Sequence, residues 1–198
     1  MDGNTVNEQK PTGAFRPNLS FYHANAKGTG SAVKMNLPPA YRTKEGCVMM
    51  TIAKQMTVGD RRGPNPTYPR FDWENSLCVK LDFNDLTHVL QVMRGECESI
   101  NDGKGLYHTS AKGATSIRLT HFAESAQGYM LDVCRKSGKG GEDENRARIL
   151  FSPAEALGLC EALSGAMCYV CFGIPMAVPG DAAAGQADTR RMRDATSV

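Results

Sequence analysis

The sequence predicts an α+β fold built on antiparallel sheets, and three observations carry that prediction. Segments that alternate apolar and polar residues with period two fill most of the middle of the chain. Only two segments shift to the helical period, one among the strands and one after the last of them. The connections between neighbouring alternating segments are short or rich in Gly and charge, as hairpins require, so successive strands run antiparallel.

The elements follow in order. In residues 30–37, GSAVKMNL, Val33, Met35 and Leu37 alternate with Lys34 and Asn36, a half-exposed strand. Residues 46–56, GCVMMTIAKQM, continue in β-branched and sulfur-bearing residues. The loop GDRRGPNPTYPR then holds three prolines within 64–69 and excludes regular structure. FDWENSLCVKLD resumes as strand, with Leu77, Val79 and Leu81 on one face and Cys78, Lys80 and Asp82 on the other. In NDLTHVLQVMRG, Asn84 is placed to cap a helix whose stripe is Leu86, Val89, Leu90 and Met93 and whose end is Gly95. CESIN and GLYH read as short strands on either side of a Gly-containing turn. ATSIRLTHF and GYMLDVCR alternate again, the second with Tyr129, Leu131 and Val133 against Met130 and Asp132, and AESAQG joins them as a hairpin. The charged, glycine-rich loop KSGKGGEDENR leads to a last short strand, ARILF. Ser152-Pro153-Ala154-Glu155 opens the second helix with a capping Ser, a Pro at the first helical position and a Glu at the third. That helix, 153–171, is apolar nearly all round, more than one small sheet can cover, which points to self-association. The tally is about eight strands. Residues 1–18 and 176–198, polar and without periodicity, are expected to be tails of a domain spanning 19–175.

Composition narrows the function classes. At 198 residues with 41% hydrophobic and 22% charged residues, the chain can build a core and is not expected to be disordered throughout. No apolar run is expected to reach the ~20 residues of a membrane span, and the first residues lack a basic start and apolar centre, so an intracellular protein with no membrane partner is expected. Seven cysteines, an odd number scattered through apolar segments, are expected to be reduced and mostly buried. The net charge of +2, with balanced tails, is far from that of a protein gripping duplex phosphates by charge alone.

Catalytic chemistry finds little to stand on. Cys168-Tyr-Val-Cys171 is a CxxC, but it lies inside the apolar terminal helix, with no second CxxC or His pair to complete four zinc ligands. His23, His88, His108 and His121 do not pair at metal spacing. KSGKGG lacks the closing Gly-Lys-Ser/Thr of a phosphate loop, and no nucleophile meets a base and an orienter. No enzyme and no cofactor are expected. Binding remains. Tyr22, Trp73 and Tyr129 are interleaved with Lys27, Lys34, Lys54, Lys80, Lys112 and Arg118 along the predicted sheets. Exposed rings stack on unpaired bases and cations follow the phosphates, an arrangement suited to single strands. The competing reading is that the cations are the ordinary solvated face of a sheet and that Trp73 and Tyr129 are core.

Several strings, in their order, resemble the Whirly family of single-stranded DNA-binding proteins across residues 20–175. Lys27-Gly28-Thr29-Gly30-Ser31-Ala32-Val33 is similar to the family's Lys-Gly-Lys-Ala-Ala-Leu stretch, although its second lysine falls on Thr29 or Ser31 here. Gly46-Cys47-Val48-Met49-Met50-Thr51 echoes the family's apolar strand opening with Gly-Val. Phe71-Asp72-Trp73-Glu74 matches its Tyr-Asp-Trp-Glu, and the Gly128-Tyr129 strand and terminal helix follow in the family's order. The resemblance implies two packed four-stranded antiparallel sheets with one internal and one C-terminal helix. It also implies a homotetramer joined through helices 84–94 and 153–171, with single-stranded DNA lying along the sheets. The function expected is non-enzymatic, largely sequence-independent single-stranded DNA binding in transcription, replication, recombination or repair. RNA binding or annealing on the same fold, and a purely structural oligomerisation module, are the alternatives. The setting expected is the cytoplasm or nucleoid of a bacterium or phage-infected cell, or an organelle after processing.

Overall fold

Nine strands and two α-helices form among the residues that the computed structural model describes, which are 18–38, 45–60, 62, 64–122, 128–137 and 143–172. The tails assigned to 1–18 and 176–198 lie outside them apart from Asn18, as do residues 123–127 of the AESAQG turn and 138–142 of the KSGKGGEDENR loop.

The first sheet holds β1 (Leu19–His23), β2 (Ser31–Asn36), β3 (Val48–Thr57), β4 (Arg70–Phe71) and β5 (Leu77–Leu81). β3 is its axis. β2 pairs along one edge, and β5 and β4 share the other, β5 against Val48–Ile52 and β4 against Gln55 and Thr57. The sheet therefore has five strands rather than four, because FDWENSLCVKLD does not run through. Asp72 turns the chain there, accepting from the Asn75 amide at 3.1 Å and from the Asn75 side chain, while Ser76 donates to the Trp73 carbonyl at 2.7 Å. The Asn75 side-chain and backbone bonds hold the Asp72 carboxyl below the usual range. The second sheet is the meander β6 (Leu106–Ser110), β7 (Gly113–Phe122), β8 (Gly128–Ser137) and β9 (Asp143–Phe151).

α1 (Phe83–Met93) starts two residues earlier than a cap at Asn84 would place it. Asp82 is the cap: it accepts from the Asp85 amide at 3.0 Å and its own amide donates back to the Asp85 carboxylate at 3.1 Å, satisfying two orphan donors. CESIN forms no strand. Ser99 makes one bridge to Thr120, and Ile100–Gly103 is a 3₁₀ turn with Asn101 and Asp102 in the left-handed region, where short polar side chains are tolerated best. α2 (Pro153–Phe172) opens as its sequence predicts, with Ser152 and Glu155 bonded reciprocally at 2.9 and 3.3 Å. Glu155 also meets the His23 ring at 2.7 Å, tying the helix start to β1.

The inner faces of both sheets and the inward sides of both helices meet in one core, with Phe151 fully buried and Phe21 packed edge-on to it at 5.2 Å. α2 is divided along its length. Ala156, Leu159, Cys160, Leu163, Tyr169 and Val170 are buried, whereas Leu157 is 66% and Phe172 79% exposed. Contrary to the expectation from sequence, this 20-residue helix is long and apolar enough to cross a membrane by length and composition (mean hydropathy 1.3). One side of it packs into the core of this fold, with one third of that apolar stretch buried. The cysteines also depart from expectation. All seven are unpaired, but only Cys47, Cys134 and Cys160 are buried, with Cys78, Cys97, Cys168 and Cys171 exposed. Burial pushes the Cys47 and Cys134 thiols up, away from the reactive thiolate.

Candidate nucleic-acid interface

Alternation decides which side chains reach the outer face of the first sheet. Val33 and Met35 of β2 and Val79 and Leu81 of β5 are in the core, so Lys34 and Lys80 point away from it. Tyr22 of β1 lies opposite Ala32, which lies opposite Ala53 of β3. These two alanines are small enough for rings to lie over them, and both are fully covered. Tyr22, Phe71 and Trp73 form an aromatic trio here, with ring centroids 5.7, 6.4 and 6.5 Å apart and tilted or edge-on geometry. Such arrangements suit ring quadrupoles. The Lys34 ammonium sits 3.9 Å from the Trp73 ring centroid, a cation–π contact that covers one face of the indole. Trp73 is half-buried, and Tyr22, 54% exposed, is the open ring of the trio. Phe71 was not foreseen as a member; its place in the Phe-Asp-Trp string was the signal.

The β1–β2 turn beside the trio is built inward. Gln55 is buried and its side chain accepts from the Asn25 amide at 2.9 Å and the Gly30 amide at 3.1 Å, while its own amide donates to the Asn25 and Thr57 carbonyls at 3.0 Å each. A Cβ at Gly30 would run into the His23 carbonyl and that Gln55 side chain, so only glycine fits. Lys27 is carried at the tip of this turn and is exposed.

The outer face of the second sheet is cationic. Arg118 of β7, Asp132 of β8 and Arg148 of β9 stand in one register row. Asp132 accepts from Arg146 through both Nε (2.9 Å) and Nη2, and from Arg148 Nε at 2.8 Å. Burial pushes the Asp132 carboxyl up, but these guanidinium bonds outweigh it and hold it below the usual range. One carboxylate thus orients two arginines beside a third. At the β6–β7 end, Tyr107 (70% exposed), Lys112 and Lys136 line a shallow hollow of about 500 Å³. Arg146, Arg148, Lys136 and Tyr107 were missed by sequence reasoning. The signal for the arginines was the alternation Arg146-Ala147-Arg148-Ile149.

The predicted residues therefore divide. Tyr22, Lys34 and Trp73 come together on the first sheet, and Arg118 and Lys112 lie on the second sheet and its hairpin. Lys80 is outward but stands beside a groove that also holds Asp82, Asp85, His108 and Arg135, where His108 is within 3.2 Å of Asp85 and the acids offset the cations. Lys54 is not on the Lys34 face. It shares the inner register of Ile52 and is exposed because β3 runs past the end of the core there. Tyr129 is a correction: its ring faces inward, stacks on His121 at 4.4 Å and packs against the core, and its hydroxyl donates to the Met93 carbonyl at 3.3 Å. It is half-buried and stands on the opposite face of β8 from Asp132 and the arginine row. No group of three or more His, Cys, Asp or Glu able to hold a metal occurs among the described residues.

No protein-family model and no curated protein sequence matches the chain. Solved structures do. The chain is similar to WHY3 from Arabidopsis thaliana, with a TM-score of 0.62 and 15% identity over 80% of this chain and 90% of that one. It is similar to WHY1 from the same plant, with a TM-score of 0.60 and 14% identity over 90% and 94%. A guide-RNA-binding protein complex bound to a guide RNA aligns with a TM-score of 0.54 and 16% identity over 78% and 92%. The Whirly resemblance read from the sequence is matched in the fold: two antiparallel sheets, of five and four strands, with two helices.

Proposed function

We propose that this chain is a non-enzymatic, largely sequence-independent single-stranded DNA-binding protein that acts as a homo-oligomer, a tetramer on the Whirly pattern, in transcription, replication, recombination or repair. The observation that carries the reading is the aromatic trio of Tyr22, Phe71 and Trp73 beside Lys34 on one outer sheet face, with the Arg118–Asp132–Arg148 row on the other. Rings that remain accessible on a sheet, flanked by cations, are what unpaired bases and their phosphates require. Lys27, Lys34, Lys112 and Arg118 are assigned to phosphate, and Tyr22 is the principal stacking ring, with Trp73 behind it. The exposed apolar side of α2, from Leu157 to Phe172, is assigned to contact between subunits. The setting is intracellular, in a bacterial or phage-infected cytoplasm or in an organelle after processing, a reading that seven unpaired cysteines support.

RNA is the second reading, favoured by the likeness to a protein complex bound to guide RNA. Stacking and phosphate contacts do not discriminate sugars; only contacts to the 2′-hydroxyl do. Fluorescence anisotropy of labelled oligo-dT about 30 nucleotides long, at low and moderate salt, tests binding. Salt-sensitive binding at micromolar protein or tighter is the expected outcome, and no anisotropy change at low salt refutes the reading. Competition with a matched oligo-U decides between DNA and RNA.

A further inference from the structure

A second cluster of cations lies where the two sheets meet at the β9 edge. A groove of about 340 Å³ runs there between the Gly28–Ser31 segment, Lys54 of β3 and Arg146 and Arg148 of β9. Its charge is one-sided. Three cations and no carboxylate line it, and Asp132 beside it holds Arg146 through Nε and Nη2 and Arg148 through Nε. The Nη groups of Arg148 and the Lys54 ammonium have no hydrogen-bond partner among the described residues.

The backbone of the groove wall is already committed. The Gly28 amide donates to the Asn25 carbonyl at 3.2 Å, those of Lys27 and Thr29 to the Asn25 side chain, and that of Gly30 to Gln55. No row of free amides remains to enclose a terminal phosphate, so an anion here is held by side-chain charge alone. That suits a phosphodiester passing through an open channel better than a free phosphate gripped on all sides.

Resting on the single-strand reading above, we propose that this groove is where a strand crosses between sheets. Lys54, Arg146 and Arg148 take one or two backbone phosphates as the strand passes from the aromatic face of the first sheet to the arginine row of the second, and Asp132 positions the two guanidiniums for that contact. Lys54 acquires a role that its departure from the Lys34 face otherwise leaves open.

The test is the salt dependence of oligo-dT binding by the full chain and by Lys54→Gln, Arg148→Gln and Lys104→Gln. Lys104 is exposed just before β6, at the opposite edge of the second sheet from β9. Each phosphate contact on a single strand contributes about 0.7 to the slope of log K against log salt. The slope is expected to fall by about 0.7 in Lys54→Gln and in Arg148→Gln and to stay at the wild-type value in Lys104→Gln. Lys54 has no bond to lose, so its variant keeps the test valid if Arg148→Gln folds poorly. Wild-type binding with unchanged slopes in both groove variants overturns the crossing while leaving single-strand binding in place. Absence of wild-type binding overturns both. Inorganic tripolyphosphate is expected to displace the strand no better than sodium chloride of equal ionic strength; displacement at micromolar tripolyphosphate overturns the crossing in favour of a free-polyphosphate site.

Discussion

Replacing Tyr22 with alanine removes the most accessible ring of the outer-face trio. The ring is 54% exposed, and its aromatic neighbours are Phe71 and Trp73 at 5.7 and 6.4 Å. Aromatic pairs of this kind contribute about 0.5–1.5 kcal/mol beyond area burial, so the variant folds with a modest loss of stability. A base stacked on an aromatic side chain is worth about 1–3 kcal/mol. Loss of one stacked base therefore raises the dissociation constant for oligo-dT by roughly 5- to 150-fold. Tyr22→Phe keeps the π-face and is expected to stay within about twofold of wild type, since stacking needs no hydroxyl. The assay is anisotropy of labelled oligo-dT with all three proteins at one salt concentration, checked by thermal melts. Equal affinity for Tyr22→Ala and wild type refutes the stacking argument, and an equal loss in Tyr22→Phe refutes it as well, because the hydroxyl would then be the contact.

Four further outcomes follow from the packing and charges described. Tyr129→Phe removes only the bond to the Met93 carbonyl, so a stability loss of about 0.5–1.5 kcal/mol in urea and unchanged oligo-dT affinity are expected. Phe151→Ala empties the centre of the core and is expected to cost about 3–5 kcal/mol in the same measurement. Leu157→Glu places a charge on the exposed apolar side of α2, and light scattering after size exclusion is expected to show a lone subunit where wild type self-associates. Asp132 and Glu155 both have folded-state pKa values held below those of the unfolded chain: burial raises both, but Arg146 and Arg148 outweigh it at Asp132, as do Ser152 and His23 at Glu155. The native state then binds fewer protons than the unfolded state, so their contribution is present above the ordinary carboxylate range and is lost as pH falls through the depressed values. Urea midpoints are expected to drop between pH 5 and pH 3, and Asp132→Asn is expected to flatten that drop.

Much of this fold was legible because period-two alternation and a complete helix cap are local signals. β3, β5, β7 and β8 follow from side chains that take turns facing the core, and α2 from Ser152 and Glu155. The misses have physical causes. β1 was not read as a strand, because Phe21 and Tyr22 are both aromatic and the alternation vanishes although one faces Phe151 and the other solvent. Asp72 breaks an apparently continuous strand through a turn that only its bonds to Asn75 reveal. Alternation also assigns a face without saying where the core ends, which is why Lys54 shares the register of Ile52 yet stands in the open. For Tyr129 the pattern itself held the answer, since it fell on the same side as Leu131 and Val133. The arginine row needed three strands to be placed in register, and no single segment encodes that.

The chain has a single tryptophan, and it is Trp73. An indole with an ammonium poised above it is a built-in optical gauge: its emission depends on how near that positive charge stays. Anything drawing Lys34 toward a phosphate, or sliding a base beside Tyr22, would alter the colour and brightness of light from this one spot. The unlabelled protein can thus announce occupancy of its own surface, free of background from indoles elsewhere.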